Sequence, residues 1–216
     1  MSSLLVLSKF LYLASATLTI GHLLLLIFFV RNTAGSIRDE YLFLRNRIAR
    51  FAWVWLFSTI VFILATLASI LDLPITSAFD LTMLRSFLTQ ISLGKSLALQ
   101  TIGALAVALS ISRVRKVSHG ALILVLSIFS ISIPVFQSHS AAGGSHLIAI
   151  GTLLIHVIGI TLWVGGLSAL VINRKIKLQS VISRYSQMAL WAALSVVISG
   201  AINAWIRLHK IGRAHV

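Results

Sequence analysis

The chain has 216 residues, 58% of them hydrophobic and 10% charged, with mean hydropathy +1.02 and a formal net charge of +14. Such apolar content excludes a soluble domain, and the basic residues fall between apolar runs instead of forming one patch, which excludes nucleic acid as the partner and fits topology signals beside anionic lipid heads. The absence of cysteine excludes disulfides, thiolate metal sites and thiol redox chemistry, and Met1, Met83 and Met188 are too few for a methionine-rich copper path.

The first apolar run, 4–30, lacks a basic leader and a small-residue cleavage site, so it reads as a retained helix. Ser8, Tyr12, Ser15, Thr19 and His22 share one side of it, within about 80° at 100° per residue. A polar stripe on a membrane helix lines a bundle interior or a water-filled path; interhelical hydrogen bonding is the plainer reading. A loop with Arg31, Arg38, Arg45, Arg47 and Arg50 leads to the second span, 51–71. The connection 72–91 has a turn at Pro74 and room for a short interfacial helix. The third span, 92–111, is interrupted by Lys95 and Gln100. Arg113, Arg115 and Lys116 separate it from the fourth, 119–137.

Then comes the sequence SHSAAGGSH, which places His139 and His146 on a Ser/Ala/Gly loop. Small residues between them allow a tight loop in which both rings reach one ion; an ordinary exposed loop with two histidines is the alternative. Neutral imidazole suits copper, zinc, iron or nickel, and spacing does not choose among them. The fifth span, 147–172, puts Thr152, His156, Gly159, Trp163 and Gly166 on one face, with Gly165 adjacent. The glycines read first as packing positions. His156 is an ionisable ring at membrane depth and therefore a functional candidate. It lies about 15 Å below His146 at 1.5 Å per residue, too far to share an ion unless the loop folds inward. Arg174, Lys175, Lys177 and Arg184 precede the sixth span, 185–207, which carries Ser195, Ser199 and Asn203 at spacing four beside Gly200. Asn203 is placed either to orient a histidine ring through its second nitrogen or to hydrogen-bond across a helix interface.

The expected fold is an all-α integral membrane bundle of about six transmembrane helices, a single domain over 1–209. The three loops that carry twelve of the 18 basic residues alternate with poorer ones. The positive-inside rule puts the basic set in the cytoplasm and both termini, with the His139/His146 loop, outside. His22 then lies toward the cytoplasmic half. The acids Asp39, Glu40, Asp72 and Asp80 all lie outside the apolar runs, so no carboxylate pair or relay is expected at membrane depth. Gly143-Gly144 has no Lys-Ser/Thr partner and makes no phosphate loop. The tail Lys210-Ile211-Gly212-Arg213-Ala214-His215-Val216 reads like one frame of a widely used sequencing adapter. Residues 210–216 are expected to be an artefact at the end of a truncated gene.

The HS-AA, H, H and LWVGG-L-AL pattern of residues 138–170, followed by Ser199-Gly200-Ala201-Ile202-Asn203-Ala204, resembles the copper resistance protein D (CopD) family. The resemblance covers most of the chain and is sharpest over 134–208; the first half matches in helix pattern and basic first loop. It implies a multi-pass protein of the bacterial cytoplasmic (inner) membrane that moves or delivers copper. The positions it carries over are His139, His146 and His156, with Trp163, Gly165, Gly166 and Asn203 as supporting residues. In actinobacterial members the domain often precedes one resembling a cytochrome c oxidase assembly factor.

The expected function is therefore copper handling without enzymatic chemistry. The ion is captured outside at His139/His146 and passed inward past His156 toward His22, its oxidation state left open. Partners expected are the copper ion, the bilayer, and a periplasmic copper chaperone or oxidase assembly components. Two alternatives stand beside it. One is a b-type haem redox protein with His22 and His156 as axial ligands. The other is a non-catalytic assembly factor for a terminal oxidase.

Overall fold

The computed structural model describes residues 2–29, 43–137, 146–174 and 179–213. Among these there are seven α-helices and no strand. They are α1 (Ser2–Leu24), α2 (Phe43–Leu71), α3 (Leu81–Gln90), α4 (Ser92–Ser110), α5 (Val117–Gln137), α6 (His146–Ile172) and α7 (Gln179–Arg213). All but α3 are long and apolar enough to cross a membrane, so the six expected spans are present. Only helices and closed barrels satisfy every backbone group inside hydrocarbon, and this chain has the helical pattern throughout.

The helices overrun the apolar runs at the basic side. The span expected at 51–71 is the C-terminal part of α2, which begins at Phe43 and includes Arg45, Arg47 and Arg50. Hydropathy marks the edge of the hydrocarbon, whereas the helix continues into the headgroup layer, where long cationic side chains reach water. α2 ends on Asp72, whose φ of 52° is left-handed, and the Leu73 N–H returns to the Ala68 carbonyl at 3.0 Å. That is the usual closure of a helix C-terminus by a left-handed residue. The interfacial helix expected between Pro74 and the third span is α3. Asp80 caps it, accepting from the Thr82 and Met83 N–H groups at 2.8 and 3.0 Å. Its Phe87 is buried against Ile63, Leu67 and Leu97. Lys95 is exposed near the start of α4, while Gln100 is completely buried, and neither breaks the helix.

α1 is the centre of the bundle. It packs on α2, α5 and α6, and two thirds of its apolar stretch is buried. A single π turn, Leu25–Phe29, extends α1 directly after Leu24. α4 and α5 pack on each other, and α4 also packs on α2. The last two helices are peripheral: only 17% and 11% of their apolar stretches are buried, against half or more for the other four spans. α7 is held by α6, and α6 in turn leans on α1.

Close approach of small residues seats α6 on α1. A side chain at Gly21 would run into the Gly165 backbone, and one at Gly165 would come within 2.5 Å of the Thr17 carbonyl oxygen. Membrane helices gain no hydrophobic free energy by leaving lipid, so such backbone-to-backbone packing is what holds them. At the basic end Arg47 donates to the Asn173 side chain at 2.5 Å, and Asn173 donates to Ala169, tying α2 to the end of α6.

Candidate functional site

The polar face expected on the first span is real and inward: Ser8, Tyr12, Ser15, Thr19 and His22 are all at most 6% exposed. Each of Ser8, Ser15 and Thr19 donates its hydroxyl to a carbonyl one turn back. His22 is enclosed completely, with its ring 5.0 Å from that of Phe51 on α2. Its Nδ1 lies 2.8 Å from the Leu18 carbonyl oxygen. A carbonyl only accepts, so Nδ1 carries the hydrogen and Nε2 presents the lone pair. That Nε2 meets no partner.

His156 has the same electronic arrangement in a different place. Its Nδ1 lies 3.2 Å from both the Val196 carbonyl and the Ser199 hydroxyl of α7. The Ser199 hydroxyl spends its hydrogen on Ser195 at 2.6 Å, so its oxygen accepts from the ring. Nε2 is again the bare nitrogen. A backbone or hydroxyl acceptor on one ring nitrogen is how proteins fix the tautomer and orientation of a metal-binding histidine. The ring lies beside Gly200, where an added Cβ would stand 3.4 Å from it. It lines an open cleft of about 370 Å³ with Leu153, Gly200, Asn203 and Ala204.

Asn203 therefore sits in the His156 cleft, but it does not orient that ring. Its side-chain oxygen accepts from Thr152 at 2.9 Å, one turn from His156 toward the N-terminal end of α6. Thr152, His156, Gly159 and Gly166 form one seam against α7, with Gly159 under Val196 and Gly166 under the Tyr185 ring. Trp163 contributes to this seam through its backbone: its carbonyl accepts the Tyr185 hydroxyl at 2.5 Å, while the residue as a whole is 38% exposed. Gly165 belongs to the opposite seam, against α1.

His22 and His156 do lie at successive depths. His22 follows Gly21, which touches Gly165, and Gly165 is about 13 Å further along α6 than His156 at 1.5 Å per residue. Yet the two rings occupy different interfaces, His22 against α2 and His156 against α7. The Gly21–Gly165 contact closes the space between α1 and α6, so the expected single route from one ring to the other is not open in this packing. The same geometry does not suit a bis-histidine haem, whose axial rings must face each other across one iron.

His139 lies outside the described residues, and His146 is the first residue of α6. Among the described residues no group of three or more His, Cys, Asp or Glu gathers to hold an ion. The sequence reading missed the Arg47–Asn173 link and the orphaned Gln100; neither pairing nor isolation of a long side chain has a local signature.

The fold and its histidine-bearing interfaces define a multi-pass α-helical membrane protein. Residues 1–147 match the family model described as Copper resistance protein D-like, N-terminal domain. The chain belongs to the copper resistance protein D-like family. No curated protein and no solved structure gives a match. The matched stretch covers α1 to α5, most of which the sequence resemblance matches in helix pattern more than in motif, and reaches through the SHSAAGGSH segment at the start of the motif-bearing region.

Proposed function

We propose that this protein captures copper on the outer face of a bacterial cytoplasmic membrane and hands it into the bilayer, with His156 as the membrane-depth ligand. Membership of a copper-resistance family supports copper handling as the general task. The observation that carries the finer reading is the state of His156. Its Nδ1 is tied to the Val196 carbonyl and the Ser199 hydroxyl, and its lone-pair nitrogen is left for a ligand beside an open cleft.

One imidazole is an incomplete site for copper. The capture ligands in this reading are His139 and His146, the latter the first residue of α6, on the outer side, with the ion then passed down the α6–α7 seam to His156. Thr152 and Asn203 lie between them and His156 and supply oxygen atoms along the way. His22 is a second, inner ligand, reached by its own seam between α1 and α2 and not by direct transfer from His156. Periplasmic copper chaperones or oxidase assembly components are the partners this position fits. The reading has copper as cargo and involves no bond-making chemistry.

The test is a copper-dependent growth phenotype in cells carrying the gene or alanine variants at His139 and His156. The expected result is loss of the phenotype in both variants, with the protein present in the membrane at normal amounts. A normal phenotype in both removes the proposal.

A further inference from the structure

We propose that the middle of the bundle formed by α1, α2, α4 and α5 binds water, with the Gln100 carboxamide as its hub. The inference does not involve the α6–α7 cleft and shares only His22 with the copper reading.

Gln100 is 0% exposed, and neither its amide nitrogen nor its oxygen meets a protein partner. A primary amide brings two donors and an acceptor, and burying it unsatisfied in a low-dielectric interior is costly. The neighbouring elements place polar groups at the same depth. The Tyr12 ring lies 5.1 Å from that of Phe62 and the His22 ring 5.0 Å from that of Phe51, so α1 and α2 run antiparallel with Ser15 level with Thr59 and Thr19 level with Trp55. Leu97 shares a cluster with Ile63 and Leu67, which puts Gln100, one turn further in, within about a turn of Thr59 in depth. On the other side Gly103 lies against Ser130 of α5, one turn from Gln100.

Thr59, Ser127 and Ser130 are at most 1% exposed, and each donates its hydrogen to its own helix. Their oxygens keep acceptor lone pairs. Pro134 has no N–H to give the Ser130 carbonyl, which adds an acceptor at this level. Further in, the Trp55 indole N–H and His22 Nε2 are also buried without partners. The polar file thus runs from Ser8 and Ser96 near the outer end, through Gln100 at mid-depth, to His22. Its unsatisfied members are a carboxamide, one donor and one acceptor. No charged side chain is among them, so the ligand that matches is a neutral molecule that both donates and accepts, and a buried water commonly makes about three such bonds.

The full chain in lipid nanodiscs is exposed to a brief pulse of hydroxyl radicals generated from water, and oxidation is read residue by residue. Trp55 is buried in the bundle, whereas Trp191 faces outward from the apolar stretch of α7 at 65% exposure, toward lipid. The expected result is Trp55 oxidised several-fold faster than Trp191, with the Trp55 rate falling several-fold in Gln100→Leu. If that variant does not insert, Gln100→Met serves the same purpose. Trp55 oxidised no faster than Trp191, or at an unchanged rate when the carboxamide is removed, overturns the proposal.

Discussion

His22 and His156 each spend Nδ1 on a carbonyl and keep Nε2 bare, in two interfaces that do not meet. The Ser199 hydroxyl is the part of this arrangement that mutation can remove without touching the ring. Removing an outer partner of a metal-bound histidine typically costs 10–100-fold in affinity. Because the Val196 carbonyl remains, Ser199→Ala is expected to weaken copper binding at His156 by about tenfold, read by competition with a copper chelator. The glycines give a sharper contrast. A methyl at Gly21 has only the Gly165 backbone to meet, which cannot move aside, whereas nothing lies within 4 Å of a methyl at Gly151. Gly21→Ala should therefore destabilise the bundle by about 1–3 kcal/mol. Gly151→Ala should leave it unchanged or stabilise it by up to about 1 kcal/mol through backbone entropy. Thermal unfolding in detergent distinguishes them.

The elements were legible to different degrees. The stripe on α1 could be read in full, because a polar residue in an apolar helix has few reasons to exist other than facing inward, and all five of its members are buried. The face of α6 was legible at Thr152, His156, Gly159 and Gly166, since a fixed period of 3.6 puts them on one side whatever they pack against. It misled at Trp163, which is partly exposed while its carbonyl makes the contact. Periodicity cannot say which neighbour a face meets, so the separation of His22 from His156 was not readable. The same holds for Arg47, which looked like one more topology signal and is in fact the link from α2 to Asn173. That pair anchors the basic end of the peripheral α6–α7 hairpin. Arg47→Ala and Asn173→Ala should be non-additive, with a coupling of about 1 kcal/mol, as for a hydrogen bond to a charged group at a half-exposed edge. Additive effects in the double-mutant cycle would mean that the contact carries no stability.

At the scale of the whole molecule, the six spans and the alternation of basic connections predict an orientation, with the basic connections in the cytoplasm. The absence of native cysteine makes this directly testable. Thr76→Cys in the connection before α3 should react with an impermeant maleimide in intact spheroplasts. Ser118→Cys, at the start of α5, should react only after permeabilisation. The reverse pattern would invert the molecule and put the SHSAAGGSH loop inside. The family match over residues 1–147 ends as α6 begins, so the His156 interface is argued from its own geometry and not from the match. The measurement that bears most directly on it is the copper content of the detergent-purified protein, compared with His156→Ala and with the triple variant His139→Ala/His146→Ala/His156→Ala. The account predicts near-stoichiometric copper in the parent protein, a marked loss in the single variant and none bound in the triple. Copper retained undiminished by the triple variant, or no copper bound by the parent protein, would contradict it.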